Sequence, residues 1–175
     1  MTTYYVATSG SDSASGLSGS PWRTIAKVNA SSFSPGDSIL FNRGDTWTGE
    51  ELIPPSDGTQ ASPITFGAYG SGDLPIIDGD ETCEHNIDLN EDLLSPRSWV
   101  IVQDFECCNS ATLGDDVVGG VKISGSHNIA RRIYSHDHQR HAASLYLADD
   151  CEVSDCILAD TGSPVSRQGW ESKRQ

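Results

Sequence analysis

Positively charged residues are scarce in this chain. Of its 175 residues, 11 are lysine or arginine and 25 are aspartate or glutamate, which gives a net charge of −14 at neutral pH. Such an excess of negative charge repels the phosphate backbone that a nucleic-acid-binding protein has to attract. The composition therefore argues against nucleic acid as a partner. It is typical of an extracellular protein, with calcium as a candidate cofactor.

Long apolar segments are also missing. No run of 18 apolar residues is present, so no insertion into a membrane is expected. No signal peptide is recognisable, because a strand-like segment begins at Tyr4, almost directly after Met1. The length corresponds to one domain. We expect the protein to be extracellular, at the cell surface or in a virion.

The cysteines lack the spacing of a metal module. The five are Cys83, Cys107, Cys108, Cys151 and Cys156, with no Cys-x-x-Cys pair among them. An odd number leaves at least one thiol unpaired within the monomer. We expect free thiols, with Cys107 and Cys151 facing inward as small apolar residues and Cys108 and Cys156 facing outward or at a corner. A disulfide framework is the alternative.

A helical pattern of apolar residues is absent between 120 and 160, and a repeat takes its place. A shift of 24 residues aligns Val121 with Leu145, Ile129 with Val153, and Ile133 with Ile157. A further copy 28 residues upstream aligns Ile101 with Ile129, Phe105 with Ile133, and Cys107 with Ser135. Short apolar strands repeated at such intervals predict a β-solenoid, in which like residues stack in rows. Ile129→Asp is then expected to unfold the protein.

The rest of the chain fits the same all-β architecture. Strands are predicted at 38–41, 63–66 and 74–77, and the acidic segments 80–96 and 108–119 are predicted to protrude as loops. Ser20 as N-cap and Pro21 at the first helical position predict a helix over 20–30 that caps the open N-terminal end of the solenoid. The solenoid domain is expected to span 1–165.

The end of the chain looks different. Residues 166–175 show no strand alternation and are basic, and no C-terminal cap is apparent. We therefore expect an irregular tail and a solenoid truncated at its C-terminus, with self-association through the open end as one way to cover the last coil.

Several segments resemble a known superfamily. These are Tyr4-Tyr5-Val6-Ala7-Thr8-Ser9-Gly10-Ser11-Asp12, Ser20-Pro21-Trp22-Arg23-Thr24-Ile25, Pro35-Gly36-Asp37, Ile64-Thr65-Phe66 and Pro75-Ile76-Ile77-Asp78-Gly79. They are similar to the opening of secreted right-handed parallel β-helix proteins of the pectate-lyase-like superfamily, which includes polysaccharide lyases and phage tailspikes. The resemblance implies a right-handed parallel β-helix and a polysaccharide partner, and it is specific for fold more than for function.

The cationic residues are concentrated in one neighbourhood. His127, His136, His138 and His141 fall within fifteen positions, with Lys122, Arg131, Arg132 and Arg140 nearby. Elimination at a uronate requires a cation at the substrate carboxylate and a base near its working pKa. We therefore predict His136, His138, Arg140 and Lys122 as catalytic residues, and Tyr146 and His141 as substrate-binding residues. The 24-residue shift stacks Lys122 under Tyr146, both facing outward.

Other interpretations of these residues stay open. The segment 136–141 also reads as a solvated turn without function, and a metal site through His136, His138 and His141 is a weaker hypothesis. For the whole protein, the first hypothesis is a polysaccharide-binding or lyase-like enzyme. The second is a non-catalytic solenoid, such as a tailspike or adhesin module, or an inactive fragment. Alanine at Arg140 and His138 is expected to abolish function and leave stability almost unchanged.

Overall fold

The computed structural model describes residues 1–90, 96–111, 119–159 and 161. Across these residues the chain forms one short helix and fourteen strands. They are β1 Thr3–Val6, α1 Ile25–Asn29, β2 Ser38–Asn42, β3 Thr46–Thr48, β4 Ile64–Tyr69, β5 Ile76–Asp78, β6 His85–Asp88, β7 Val100–Gln103, β8 Glu106–Cys108, β9 Gly119–Ser126, β10 Ile129–Arg131, β11 Tyr134–His136, β12 His141–Asp149, β13 Glu152–Ser154 and β14 Ile157–Leu158.

The strands form three parallel sheets, because the chain winds in successive coils and like strands of neighbouring coils pair. The first sheet has the order β1-β2-β4-β7-β10-β13, the second has β14-β11-β8-β5-β3, and the third has β12-β9-β6. Every named strand pairs in parallel with the equivalent strand of the next coil. The fold is therefore a parallel β-solenoid, as the repeat predicts.

The 28-residue register is confirmed. Ile101 lies beside Ile129 in the first sheet, and Cys107 lies beside Ser135 in the second. The strand predictions at 38–41, 63–66 and 74–77 are also confirmed by β2, β4 and β5, each within two residues of the predicted start.

The 24-residue register is wrong by one or two residues. Ile129 pairs with Glu152, and Ala130 pairs with Val153, which is a shift of 23. In the third sheet Val121 pairs with Ala143, a shift of 22, and a bulge follows before Ala148. Alternate residues of a strand face opposite sides of the sheet, so a shift of one residue changes which side chains are buried. The apolar pattern favoured the shift of 24 because it aligns Ile129 with Val153, whereas the interior residue of β10 is the small Ala130.

The interior row of the first sheet shows the consequence. It runs through Ile39, Phe66, Val102 and Ala130, which are at most 1 % exposed. Ile129 lies on the outer side of the same strand and is only partly buried. The prediction that Ile129→Asp unfolds the protein therefore names the wrong residue, and Ala130 is the interior one.

The N-terminal cap is shorter than predicted. The helix begins at Ile25, with Thr24 as its N-cap, and the Thr24 hydroxyl accepts a hydrogen bond from the backbone N–H of Lys27 at 3.0 Å. Ser20 and Pro21 precede the helix, because Trp22 forms a parallel bridge with Val6 and continues the first sheet. Ile25 and Val28 are buried against the core, so the segment covers the solenoid end as expected.

The corners between strands are made by residues with positive φ. Asp104, Arg132 and Asp155 have φ of 62°, 52° and 53° at equivalent positions of three coils. Arg132 also binds Asp104 through two hydrogen bonds of 2.8 and 2.9 Å. Trp99 and His127 occupy another corner, and their rings stack at 4.0 Å.

The acidic segment 80–96 is not simply a protruding loop. Its residues 85–88 form β6, and all four are buried at the start of the third sheet. The alternation of His85, Ile87 and Leu89 indicates this strand, but an irregular coil length hides it, since β6 aligns with β9 at a shift of 34. Most of the second predicted loop, 112–118, and the tail 166–175 lie outside the described residues.

The five cysteines are free thiols. Cys107 is fully buried as predicted, but Cys108 lies within β8 and is only 7 % exposed, so the expectation for Cys108 is wrong. Cys156 lies at the corner between β13 and β14, one of its two predicted positions, and packs against the core. Cys151 also packs against the core, as predicted.

Candidate functional site

The predicted cationic neighbourhood is neutralised by acidic residues of the preceding coil. Arg132 binds Asp104, and Lys122 binds Asp88 at 3.0 Å. The His136 imidazole lies 3.1 Å from Glu106 and 2.7 Å from Asp137. The coils bring these acids next to the basic residues although 28 to 34 positions separate most of the pairs in sequence. Three members of the positively charged cluster seen in the sequence, Lys122, Arg132 and His136, therefore form ion pairs across coils.

His136 lies on the outer face of the second sheet. Its ring stacks on Tyr134 at 4.2 Å, and its two nitrogens contact the carboxylates of Glu106 and Asp137. Burial lowers the pKa of His136, but the hydrogen bonds to the two carboxylates outweigh it, and the net pKa is raised. Both nitrogens are engaged by carboxylates, so His136 does not turn toward His138 or His141 as a shared metal site requires.

His138 lies inside the solenoid, which contradicts its predicted place on a surface loop. It is 2 % exposed, with Nδ1 at 2.8 Å from the hydroxyl of Ser110 and Nε2 at 2.8 Å from the hydroxyl of Ser135. The Ser135 hydroxyl in turn donates to the carbonyl of Ala142. A polar side chain that is buried with both nitrogens engaged contributes to stability. The expectation that His138→Ala leaves stability unchanged is therefore wrong.

Stability is expected to fall as the pH drops from about 6.5 to about 4. Burial, together with the nearby charge of His136, lowers the pKa of His138 to about 4 in the folded protein. Between that value and the unfolded pKa of about 6.5, only the unfolded chain binds this proton, which costs about 3 kcal/mol in total. Urea unfolding across this range should show a steeper loss in the wild type than in His138→Asn. Equal slopes in the two proteins would refute this account.

The predicted stacking of Lys122 under Tyr146 is wrong. Lys122 pairs in register with Ser144, because the third sheet repeats after 22 residues, and Tyr146 lies beyond this pair in β12. Tyr146 is 36 % exposed, and Arg140 and His141 are also exposed. His141 borders an open depression with Ala142, Ala143 and Leu158. These three predicted site residues are on the surface, and none of them is a register partner of Lys122 or Asp88; His141 pairs with Gly119, which is the register partner of His85.

The structure instead gathers an ionisable cluster around Lys122, which we call the β6 cluster: Glu51, His85, Asp88 and Lys122. Glu51 precedes Leu52, which bridges to Ile87 of β6. His85 and Asp88 lie in β6, and Asp88 is the register partner of Lys122 in β9. Donor atoms of Glu51, His85 and Asp88 all lie within 4.8 Å of one another. Three segments of the chain thus converge on one small polar site.

Burial controls the ionisation of this cluster. It raises the pKa of Glu51, with a further contribution from the negative charge of Asp88, to about 8. Burial also raises the pKa of Asp88, although its hydrogen bond with Lys122 opposes the shift. The pKa of His85 is lowered by burial, partly offset by Asp88. Asp88 and Lys122 form the ion pair that keeps charge inside this partly desolvated site.

Sequence reasoning identified Lys122 and missed the other three members. His85 is the one histidine outside the group at 127–141, and residues 80–96 were interpreted as a loop. The available signal was the alternation through His85, Ile87 and Leu89, which predicts a strand. It places His85 and Asp88 on opposite sides of that strand, whereas the structure brings their donor atoms within 4.8 Å of each other. The pairing of Asp88 with Lys122 depends on the length of an irregular coil, and this length does not follow from the repeat.

Comparison with solved structures identifies the fold. A GH136 lacto-N-biosidase from Eubacterium ramulus matches with a TM-score of 0.67 and 17 % identity, covering 91 % of this chain and 36 % of that one. A rhamnogalacturonan lyase matches at 0.59 and 14 %, covering 89 % and 51 %, and pectate lyase Pel9A at 0.57 and 18 %, covering 93 % and 45 %. The protein is a right-handed parallel β-helix. This confirms the fold that the opening segments imply.

The chain spans between about a third and about a half of the length of these structures. No protein-family model matches the chain, and no curated protein matches it by sequence. Within the described part of the chain, no helix has the length and apolar character needed to cross a bilayer. Identities below a fifth support the fold alone, so the function has to be argued from the site.

Proposed function

We propose that the protein is a carbohydrate-active β-helix protein that binds and cleaves an acidic polysaccharide at the β6 cluster, outside the cell. The observation that carries the proposal is the meeting of two carboxyl groups, an imidazole and an ammonium group within one site. The similarity of the fold to that of a lacto-N-biosidase, a rhamnogalacturonan lyase and a pectate lyase supports a carbohydrate substrate.

The β6 cluster contains the groups that either cleavage chemistry needs. Elimination at a uronate needs a cation beside the substrate carboxylate and a base at the neighbouring carbon, which Lys122 and the imidazole or carboxylates supply. Hydrolysis uses two carboxyl groups, about 5 Å apart in enzymes that retain the anomeric configuration. Glu51 and Asp88 have carboxylate oxygens within 4.8 Å of each other. We favour elimination because Lys122 provides the cation that a uronate requires.

The proposal predicts loss of turnover in Glu51→Gln. The amide keeps the shape of the side chain and removes its ability to transfer a proton, so we expect about a 100-fold lower rate. The wild type should release unsaturated uronate from alginate, pectin, chondroitin or heparin, measured by its ultraviolet absorbance. Reducing ends that appear without this absorbance would indicate hydrolysis instead. Glu81→Gln, an exposed position, is the matched control and should retain full activity.

Two outcomes would contradict the proposal. Full activity in Glu51→Gln would show that the β6 cluster does not catalyse the cleavage. Binding of a polysaccharide by the wild type without any product would support the alternative, a non-catalytic binding module. The exposed residues His141 and Tyr146 remain proposed as contacts to the polysaccharide. Arg140, which the sequence predicts as catalytic, is proposed here as a third contact, so alanine at Arg140 would weaken binding without a change in the rate of the bound complex.

A further inference from the structure

We propose that Glu51, His85 and Asp88 form a binding site for one divalent transition-metal ion of the zinc or manganese class. The inference rests on the same residues as the proposed function and would supply that site with a cofactor. It is nevertheless separable from catalysis, because binding of the ion is measurable without any polysaccharide. The argument depends on the arrangement of donor atoms, on the groups that hold them, and on buried polar atoms of the same region.

The donor atoms are close enough for one ion to bridge them. Each residue contributes one donor, and the three donors lie within 4.8 Å of one another. An ion that binds nitrogen and oxygen at about 2.1 Å in tetrahedral geometry needs roughly 3.4 Å between its ligands. Side-chain rotations that move each donor atom by less than about 1 Å therefore bring the three donors to the distances that one ion needs. No movement of β6 is needed, since His85 and Asp88 lie at the two ends of this one strand.

His85 is held as metal-binding histidines usually are. Its Nδ1 lies 3.1 Å from the carbonyl oxygen of Gly119 in the neighbouring strand and 3.2 Å from the backbone nitrogen of the same residue. The backbone N–H of Gly119 also has the carbonyl oxygen of Glu84 as an acceptor, at 3.2 Å. When Nδ1 donates its hydrogen to that carbonyl, Nε2 is the unprotonated nitrogen and carries the free lone pair. A backbone acceptor on one ring nitrogen fixes the tautomer and the ring orientation of a ligand histidine. The ring is 4 % exposed, so it is not held by solvent.

The carboxylate of Asp88 is oriented by two donors. Its Oδ1 accepts from the backbone N–H of Asn90 at 2.9 Å, and its Oδ2 accepts from Lys122 at 3.0 Å. Each carboxylate oxygen has a second lone pair, so both hydrogen bonds leave a position for a metal ion. Lys122 also limits the negative charge of the site, which otherwise would hold two carboxylates side by side.

Within the described residues, no group donates a hydrogen bond to the carboxylate of Glu51, although the side chain is partly buried. Two further polar atoms in the described part of this region are buried without a partner, the hydroxyl oxygen of Ser144, two strands away from Asp88, and Oδ1 of Asn90. Buried polar groups without a partner are rare in proteins, and a bound ion is one explanation for the unpaired carboxylate of Glu51.

The donor set selects the class of ion. Calcium takes six to eight oxygen ligands, whereas an imidazole nitrogen with two carboxylates suits zinc or manganese.

The test is titration of the chelator-treated, intact chain with zinc chloride or manganese chloride, followed by calorimetry. We expect one site per chain and at least about a 100-fold loss of affinity in Glu51→Gln and in His85→Gln. His127→Gln, a histidine that stacks on Trp99 at a corner beyond the third sheet, is the matched control and should bind as the wild type does. Circular dichroism shows whether each variant is folded. If His85→Gln does not fold, the test rests on Glu51→Gln.

The outcomes separate this inference from the proposed function. Absence of zinc and manganese binding in the wild type, binding unchanged in folded Glu51→Gln, or binding of calcium alone would each overturn the inference. A metal-bound wild type that releases no product from any polysaccharide would refute the proposed cleavage and leave the metal site standing. If the metal-free protein cleaves at the full rate and calorimetry detects no binding of zinc or manganese, the proposed function stands and the metal site is refuted.

Discussion

Replacing Ala130 with aspartate should unfold the protein. Ala130 is 1 % exposed in the interior row between Val102 and Val153, and nothing in that row can pair with a carboxylate. A buried, unpaired charge costs several kcal/mol, and a neutral carboxyl of this size still overfills the space of a methyl group. Since domains of this size are stable by roughly 5–15 kcal/mol, the cost takes most of the stability. Circular dichroism and urea titration should show no cooperative transition.

Ile129→Asp is the matched comparison, one residue away on the same strand. Its side chain faces outward between Ile101 and Glu152, so the new carboxylate stays in contact with water. We expect a folded protein destabilised by about 1–2 kcal/mol, through lost apolar contact and the like charge of Glu152. The reverse result, with Ile129→Asp unfolded and Ala130→Asp folded, would show that the strand presents its other face to the core.

Gly120→Ala is expected to cost about 3 kcal/mol or more. A Cβ at this position would overlap the hydroxyl of Ser135 and lie 2.5 Å from Nε2 of His138 and 2.7 Å from the carbonyl oxygen of Ala142. Two of these atoms belong to the hydrogen-bonded group around His138, and the third is backbone. Relief of the overlap therefore requires either a shift of β12 or loss of buried hydrogen bonds. The free energy of unfolding from urea titration measures the effect.

Gly67→Ala tests whether this cost is specific. Gly67 is also in a parallel strand, but its added Cβ would meet Cγ of Gln103 at 3.3 Å, which is part of a flexible side chain. We expect a change below about 1 kcal/mol, because Gln103 can move by a few tenths of an ångström. Equal losses in the two variants would mean that the hydrogen-bonded group around His138 does not restrict the space at Gly120.

Much of the fold was predictable because β-solenoids repeat locally. The 28-residue alignment of Ile101 with Ile129 was visible in the sequence, since apolar residues of successive coils have to stack in one row. The alignment of Ile129 with Val153 was off by one residue, because the large apolar Ile129 lies on the outer side of β10 and the small Ala130 occupies the interior row. Hydrogen bonding between coils and the positive-φ corners at positions such as Asp155 select the observed register.

The candidate site was less predictable, because its members are distant in sequence and their coils differ in length. Lys122 was identified from the sequence, but its partner Asp88 lies 34 residues away, in a segment interpreted as a loop. His136 and His138 are two residues apart, yet one contacts carboxylates on the surface and the other binds serines in the interior. Strand alternation alone would have placed both on the same face, and the positive-φ residue Asp137 between them breaks it.

The amino-acid order by itself determined that this chain winds into stacked parallel coils, since the recurrence of short apolar strands leaves few other ways to bury them. Tertiary structure alone decided which charges meet. Ion pairs between coils depend on the length of every intervening turn, and one inserted residue moves a carboxylate from one basic partner to the next or to the other side of the sheet. The convergence of Glu51, His85 and Asp88 beside Lys122 is a result of those lengths.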